Sequence, residues 1–305
     1  MRWEDFRRSD NVEDRRGDPG YSGGGGAGLG VGGGHLGLGA VVVLGLIGWM
    51  LGINPAVLIG GAEMVNGLRS GGNTQRAPAP SQTAQTGAPT DQMGQFVAAV
   101  LAENEDVWSD VLPAQKGVAY VKPKLVLYSG STRSGCGGAS ASMGPFYCPN
   151  DQKVYLDTSF FSDMKRRLGG GGDFAYAYVI AHEIGHHVQN LLGILPKVQA
   201  AQQRAASQGN ESGANNLSVR VELMADCLAG VWAANQERSR QFLEKGDLES
   251  AVATAQAIGD DRLQQSTRGT VVPDSFTHGS SAQRVQWLTT GLKSGEVDSC
   301  NTFAQ

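Results

Sequence analysis

A chain of 305 residues is long enough for one sizeable domain with additional segments. Its 25 basic and 29 acidic side chains give a net charge of −4, which excludes the dense positive field of a nucleic-acid-binding protein. Its 44 glycines are about twice the ordinary share, concentrated between Gly20 and Gly39 and again at Gly169–Gly172.

Residues 1–18 are polar and mixed in charge, so residues 1–35 are predicted to be a cytoplasmic leader outside the folded domain. Leu36 to Ile53 is a run of apolar residues and glycine without one polar side chain, and no charge occurs between Asp18 and Glu63. This is long enough for a transmembrane anchor, predicted over residues 36–60. A cleaved signal peptide and a buried soluble helix are the competing readings. The run is longer than a typical signal core, its leader is long, and no A-x-A site follows. Arg2, Arg7, Arg8, Arg15 and Arg16 precede the run, whereas only Arg69 and Arg76 follow it closely. Counting basic residues puts the N-terminus in the cytoplasm and the main domain in the periplasm or outside the cell. Residues 61–90 then form a flexible linker rich in Gly, Ala, Pro, Ser, Thr and Gln.

The domain proper, residues 91–305, is predicted to be α+β, a small sheet with a mainly helical body. Thr90 to Val111 reads as a helix, Lys124–Tyr128 and Lys153–Asp157 as strands, and Ser159 to Leu168 as a short helix. A long helix follows over Asp173–Gly193, where Asp173 can cap the start and Gly193 can end it. Further helices are predicted at about 197–208, 216–240, 247–266 and 281–293. Of the four cysteines, Cys136 and Cys148 bracket a small glycine/serine loop and are the local pair. That leaves Cys227 with Cys300, and two such bonds go with an oxidising compartment. Free cytosolic thiols or a cysteine zinc site compete with this, although no C-x-x-C pair is present.

Chemistry concentrates in His182-Glu183-Ile184-Gly185-His186-His187, which holds three of the five histidines. On a helix, residues i and i+4 share a face, so His182 and His186 can point at one metal ion. Glu183 is rotated about 100° from His182, toward where an attacking water would sit. His187 points about 140° away from His182, which makes it structural. Gly185 removes a side chain between the two histidines and so allows another backbone to pack closely. Further on, Arg220-Val-Glu-Leu-Met-Ala-Asp226 puts Glu222 and Asp226 on one face of a second helix. Glu222 can supply a third ligand, and Asp226 can accept the free ring N–H of a ligating histidine. Three protein ligands leave a position open for catalysis, whereas structural zinc sites close with four.

The joint pattern of HEIGHH and a downstream E-x-x-A-D resembles the glutamate-type zincin peptidases, thermolysin among them. More closely it resembles a bacterial membrane-anchored family of neutral zinc metallopeptidases. The resemblance also runs through Asn11–Gly17, Gly135–Gly137, Gly144–Pro149, Val154–Asp157, Gly259–Leu263 and Phe276–Gly279. It implies a zincin-like fold, one Zn2+ per chain held by His182, His186 and Glu222, and Glu183 as the catalytic carboxylate. It further implies a peptide or protein substrate, and places the Val154–Asp157 strand at the sheet edge above the cleft. His278, just before a predicted helix, is the remaining histidine of the exported domain and the candidate donor to the oxyanion, the competing reading being a residue that packs or caps the helix start. The alternative function is a zincin-fold scaffold at the membrane without turnover. An intact Glu183 argues against it.

Overall fold

The computed structural model describes residues 1–18, 85–86, 89–167 and 171–304. The apolar run at residues 36–53, and with it the predicted anchor, lies outside these residues. Among the described residues, no helix is long and apolar enough to cross a membrane. The fold is mixed α and β, mostly helical with a small sheet.

The sheet begins where no strand was expected. Val12–Asp14 forms β1, which pairs antiparallel with β2 (Gln85–Thr86) and parallel with β3 (Lys124–Tyr128). Helix α1, Gln92–Lys116, lies between β2 and β3 in the chain. Asp91 caps it, its carboxylate accepting the Gly94 N–H at 3.1 Å. The helix continues past the predicted end at Val111 and through Pro113. Gly117, left-handed at φ 65°, stops it.

After β3 come the hairpin β4 (Ser131–Ser134) and β5 (Gly137–Ser140), then β6 (Phe146–Cys148) and β7 (Lys153–Asp157). The five-stranded order is β2-β1-β3-β7-β6. The Val154–Asp157 strand is therefore internal, a correction to the edge position implied above. β7 lies parallel to β3 on one side and antiparallel to β6 on the other. The Cys136–Cys148 disulfide holds the intervening chain so that it returns as an extra strand, and β6 takes the edge.

Residues 1–18 are part of this fold, which corrects the prediction of a separate leader. Met1, Trp3, Phe6 and Val12 are buried in the main core. The arginines read as topological signals are engaged with the body. Arg2 donates to the Gln241 carbonyl, Arg8 to Gln95 at 3.0 Å, and Arg7 pairs with Glu105 and Asp106. Arg15 pairs with Glu13, and Arg16 bridges Asp14 and Asp91. Glu13 also pairs with Lys124 of β3 and Lys153 of β7. Burial disfavours its charge, but Lys153, Arg15 and Lys124 outweigh that and hold it down at about 2. Of these partners, Gln241, Gln95, Glu105, Asp106, Asp91, Lys124 and Lys153 come from distant sequence, which a reading of residues 1–18 alone cannot show.

The helical body comprises α2 (Ser159–Arg167), α3 (Asp173–Leu191), α4 (Ile194–Ser207), α5 (Glu211–Arg240), α6 (Asp247–Ala257), α7 (Asp260–Arg268) and α8 (Ser281–Ser294). Asp173 is not the cap of α3. It lies in the first turn, and its carboxylate accepts Trp3 Nε1–H at 3.0 Å. The predicted helix 247–266 is two helices, broken at Gly259, where a Cβ would lie 2.4 Å from Ser281 N. Two close crossings build the body around α5. A Cβ at Gly185 would lie 3.0 Å from the Ala225 carbonyl oxygen, and one at Gly291 would lie 1.9 Å from that of Cys227. Glycine alone lets α3 and α8 approach α5 at those points. The Cys227–Cys300 disulfide then ties the C-terminal turn to α5.

Candidate metal centre

The α3–α5 crossing sets the HEIGHH segment against Glu222 and Asp226. His182, His186 and Glu222 each offer a ligand atom, and these atoms lie within 4.8 Å of one another. His182 Nε2 is 3.1 Å from Glu222 Oε2, and His186 Nε2 is 3.5 Å from Glu222 Oε1. Bonds of about 2.0–2.2 Å to a tetrahedral zinc would separate two ligand atoms by about 3.3–3.6 Å, close to both histidine–Glu222 distances. Two imidazoles and one carboxylate are also the donor set of an open zinc site.

Each imidazole is oriented through its other nitrogen. His182 Nδ1 lies 2.8 Å from Asp226 Oδ1. That carboxylate also accepts from Tyr178 Oη at 2.6 Å and from Arg284 Nε and Nη2, both at 2.9 Å. An ionised carboxylate only accepts, so Nδ1 donates and Nε2 is turned to the centre. His186 Nδ1 lies 2.9 Å from Gln189 Oε1, whose own Nε2 donates to the Val221 carbonyl at 2.7 Å. Gln189 thus does for His186 what Asp226 does for His182. Asp226 was legible one helical turn from Glu222. Gln189 was hidden in plain view, three residues after His186 on the same helix. Arg284, from α8, left no local signal.

The charges in this pocket are strongly coupled. Burial opposes protonation of His182, but Asp226 and then Glu222 push it up to about 10. Burial raises Glu222, yet His186 and His182 hold it well below the usual carboxylate range. Asp226 is likewise raised by burial and brought down to about 2 by Arg284 and His182. The pocket therefore favours positive charge between the two imidazoles and Glu222, as a cation site should. Glu183 is buried beside them, and that burial raises it, with His182 and His186 opposing.

His187 does not join the cluster. Its Nε2 lies 2.6 Å from the Val121 carbonyl and its Nδ1 3.0 Å from Tyr147 Oη, so it docks α3 against β6. His278 sits on the loop before α8. Asp260 Oδ2 accepts the backbone N–H groups of Thr277, His278 and Gly279 at 2.7, 2.7 and 3.0 Å. His278 Nδ1 is 3.4 Å from Asp260 Oδ1. Burial disfavours the charged ring, but Asp260 and Glu222 raise it above its ordinary value. Asp260 is the further residue that the sequence left unassigned, although it stands within the Gly259–Leu263 segment.

The chain is 47% identical over 305 residues to the uncharacterized protein YpfJ of Escherichia coli (strain K12), covering 100% of this chain and 99% of that one. It is 43% identical over 231 residues to the uncharacterized protein Mb2605 of Mycobacterium bovis, covering 72% of this chain and 74% of the relative. No solved structure matches. A family described as "putative neutral zinc metallopeptidase" matches residues 1–303. The chain belongs to this zinc metallopeptidase family.

Proposed function

We propose that this protein is a membrane-attached, zinc-dependent endopeptidase. The observation that carries the reading is the convergence of His182, His186 and Glu222 within 4.8 Å, with Glu183 on the same helix as the two histidines. His182, His186 and Glu222 would hold one zinc ion. When bound, zinc would supply a Lewis acid that polarises the scissile carbonyl and makes water acidic. The Glu183 carboxylate takes the proton from the attacking water and gives it to the leaving amine. The substrate backbone adds as a strand to the β6 edge, which is antiparallel to β7 on its paired side. The two disulfides favour an oxidising compartment for the site, and the apolar run at residues 36–53 supplies the attachment.

The test is metal removal from the purified full-length protein. One zinc per chain is expected, and a chelator should abolish peptide cleavage until zinc is returned. Undiminished cleavage after complete zinc removal would reject the reading.

His278 is assigned to the oxyanion, with Asp260 fixing its loop and Thr277 Oγ1 lying 3.0 Å from its Nδ1. Loss of one such donor lowers kcat by about 100- to 1,000-fold. His278→Ala should show this loss with zinc content and Tm close to wild type. If turnover per folded molecule stays at the wild-type rate, the donor is another group.

A further inference from the structure

Residues 1–18 and the body from residue 89 onward share one core and one sheet. The described chain leaves this fold at Asp18 and returns to it at Gln85, and both ends lie at one place. β1 and β2 are antiparallel neighbours, with Asp14 opposite Gln85 and Glu13 opposite Thr86. β1 is also internal, bonded on its other side to β3 with Val12 opposite Leu125. Paired strands lie about 4.8 Å apart, whereas a bilayer's hydrocarbon core is about 30 Å thick. A chain crossing a bilayer once between these ends would separate β1 from β3. It would also strip Val12 from the core and leave Glu105, Asp106 and Asp91 without their arginine partners.

We propose that residues 1–18 lie on the same side of the membrane as the zinc site. Asp18 and Gln85, the described residues on either side of the apolar run in sequence, both lie on that side, and the β1–β2 edge of the sheet faces the lipid surface. The occupant is a bilayer because the 18-residue apolar run lies in sequence between Asp18 and Gln85, the points at which the described chain leaves and rejoins that edge. This replaces the expected cytoplasmic N-terminus. The arginines that suggested that orientation serve as structural partners in the folded protein. The inference rests on membrane attachment through that run and is independent of peptide hydrolysis.

The test is accessibility labelling of the full-length chain in spheroplasts of a Gram-negative host. All four native cysteines are in disulfides, so a single introduced thiol reports its own position. Asp5→Cys and Glu296→Cys are both at exposed positions, one on each side of the apolar run in sequence. A membrane-impermeant maleimide should label both variants before lysis, each with wild-type Tm. Labelling of Glu296→Cys before lysis but of Asp5→Cys only after lysis overturns the proposal. Protection of both until lysis upholds the shared side, and instead refutes the exported location given to the zinc site. Recovery of the wild-type chain in the soluble fraction, without membranes, overturns the lipid-facing edge.

Discussion

Glu183→Gln is expected to abolish peptide hydrolysis and to leave zinc binding in place. The substitution keeps the size and shape of the side chain and removes its charge and its ability to take and return a proton. Glu183 makes no contribution to the cluster of ligand atoms, which comes from His182, His186 and Glu222. General acid–base catalysis contributes typically about 100- to 10,000-fold, and here one carboxylate would serve both half-steps, so the loss should fall at the upper end. The measurements are kcat/KM on a quenched fluorescent peptide and zinc per chain by elemental analysis. The expected result is wild-type metal content with turnover near the uncatalysed limit. Equal turnover in the two proteins would sink the peptidase reading and favour a zincin-fold scaffold.

Asp226→Asn is expected to have the second large effect, through two separable routes. The carboxylate accepts from Tyr178, His182 and Arg284, all buried. Losing the acceptor that orients a ligating histidine typically costs about 10- to 100-fold in metal affinity. Losing the partner of a buried cation costs about 3–5 kcal/mol of stability, because the Arg284 guanidinium remains in the interior without its countercharge. Both effects should appear, the first in competition with a chromophoric zinc chelator and the second in urea unfolding of the metal-free protein. Asp226→Asn/Arg284→Met then separates the routes. Removing the stranded charge should recover much of the stability, while zinc affinity stays weak because His182 is still unanchored. Wild-type zinc affinity in the single variant would show that Asp226 does not orient the ligand.

The sequence by itself determined the parts of this protein whose logic lies within one turn of helix. His182, Glu183 and His186, and separately Glu222 and Asp226, were legible because the 3.6-residue period puts i and i+4 on one face whatever else the chain does. The cysteine pairing was legible because four cysteines with one short loop leave little choice. Gly185 announced a close backbone approach but not its partner. The tertiary structure decided which residues meet across elements. It named Ala225 as the partner of Gly185, and so brought Glu222 to within 3.1 Å of His182. It brought Arg284 from α8 onto Asp226, and placed β7 inside the sheet by returning the chain as β6. It also turned a charged N-terminal segment into an internal strand. A strand as short as Val12–Asp14 has too few residues to show a period, and the carboxylates that Arg7 and Arg16 reach in the body lie 75 to 99 residues away in the chain. Helical periodicity is a local property, whereas strand pairing and ion pairing are contacts between segments distant in sequence, which only the folded chain brings together.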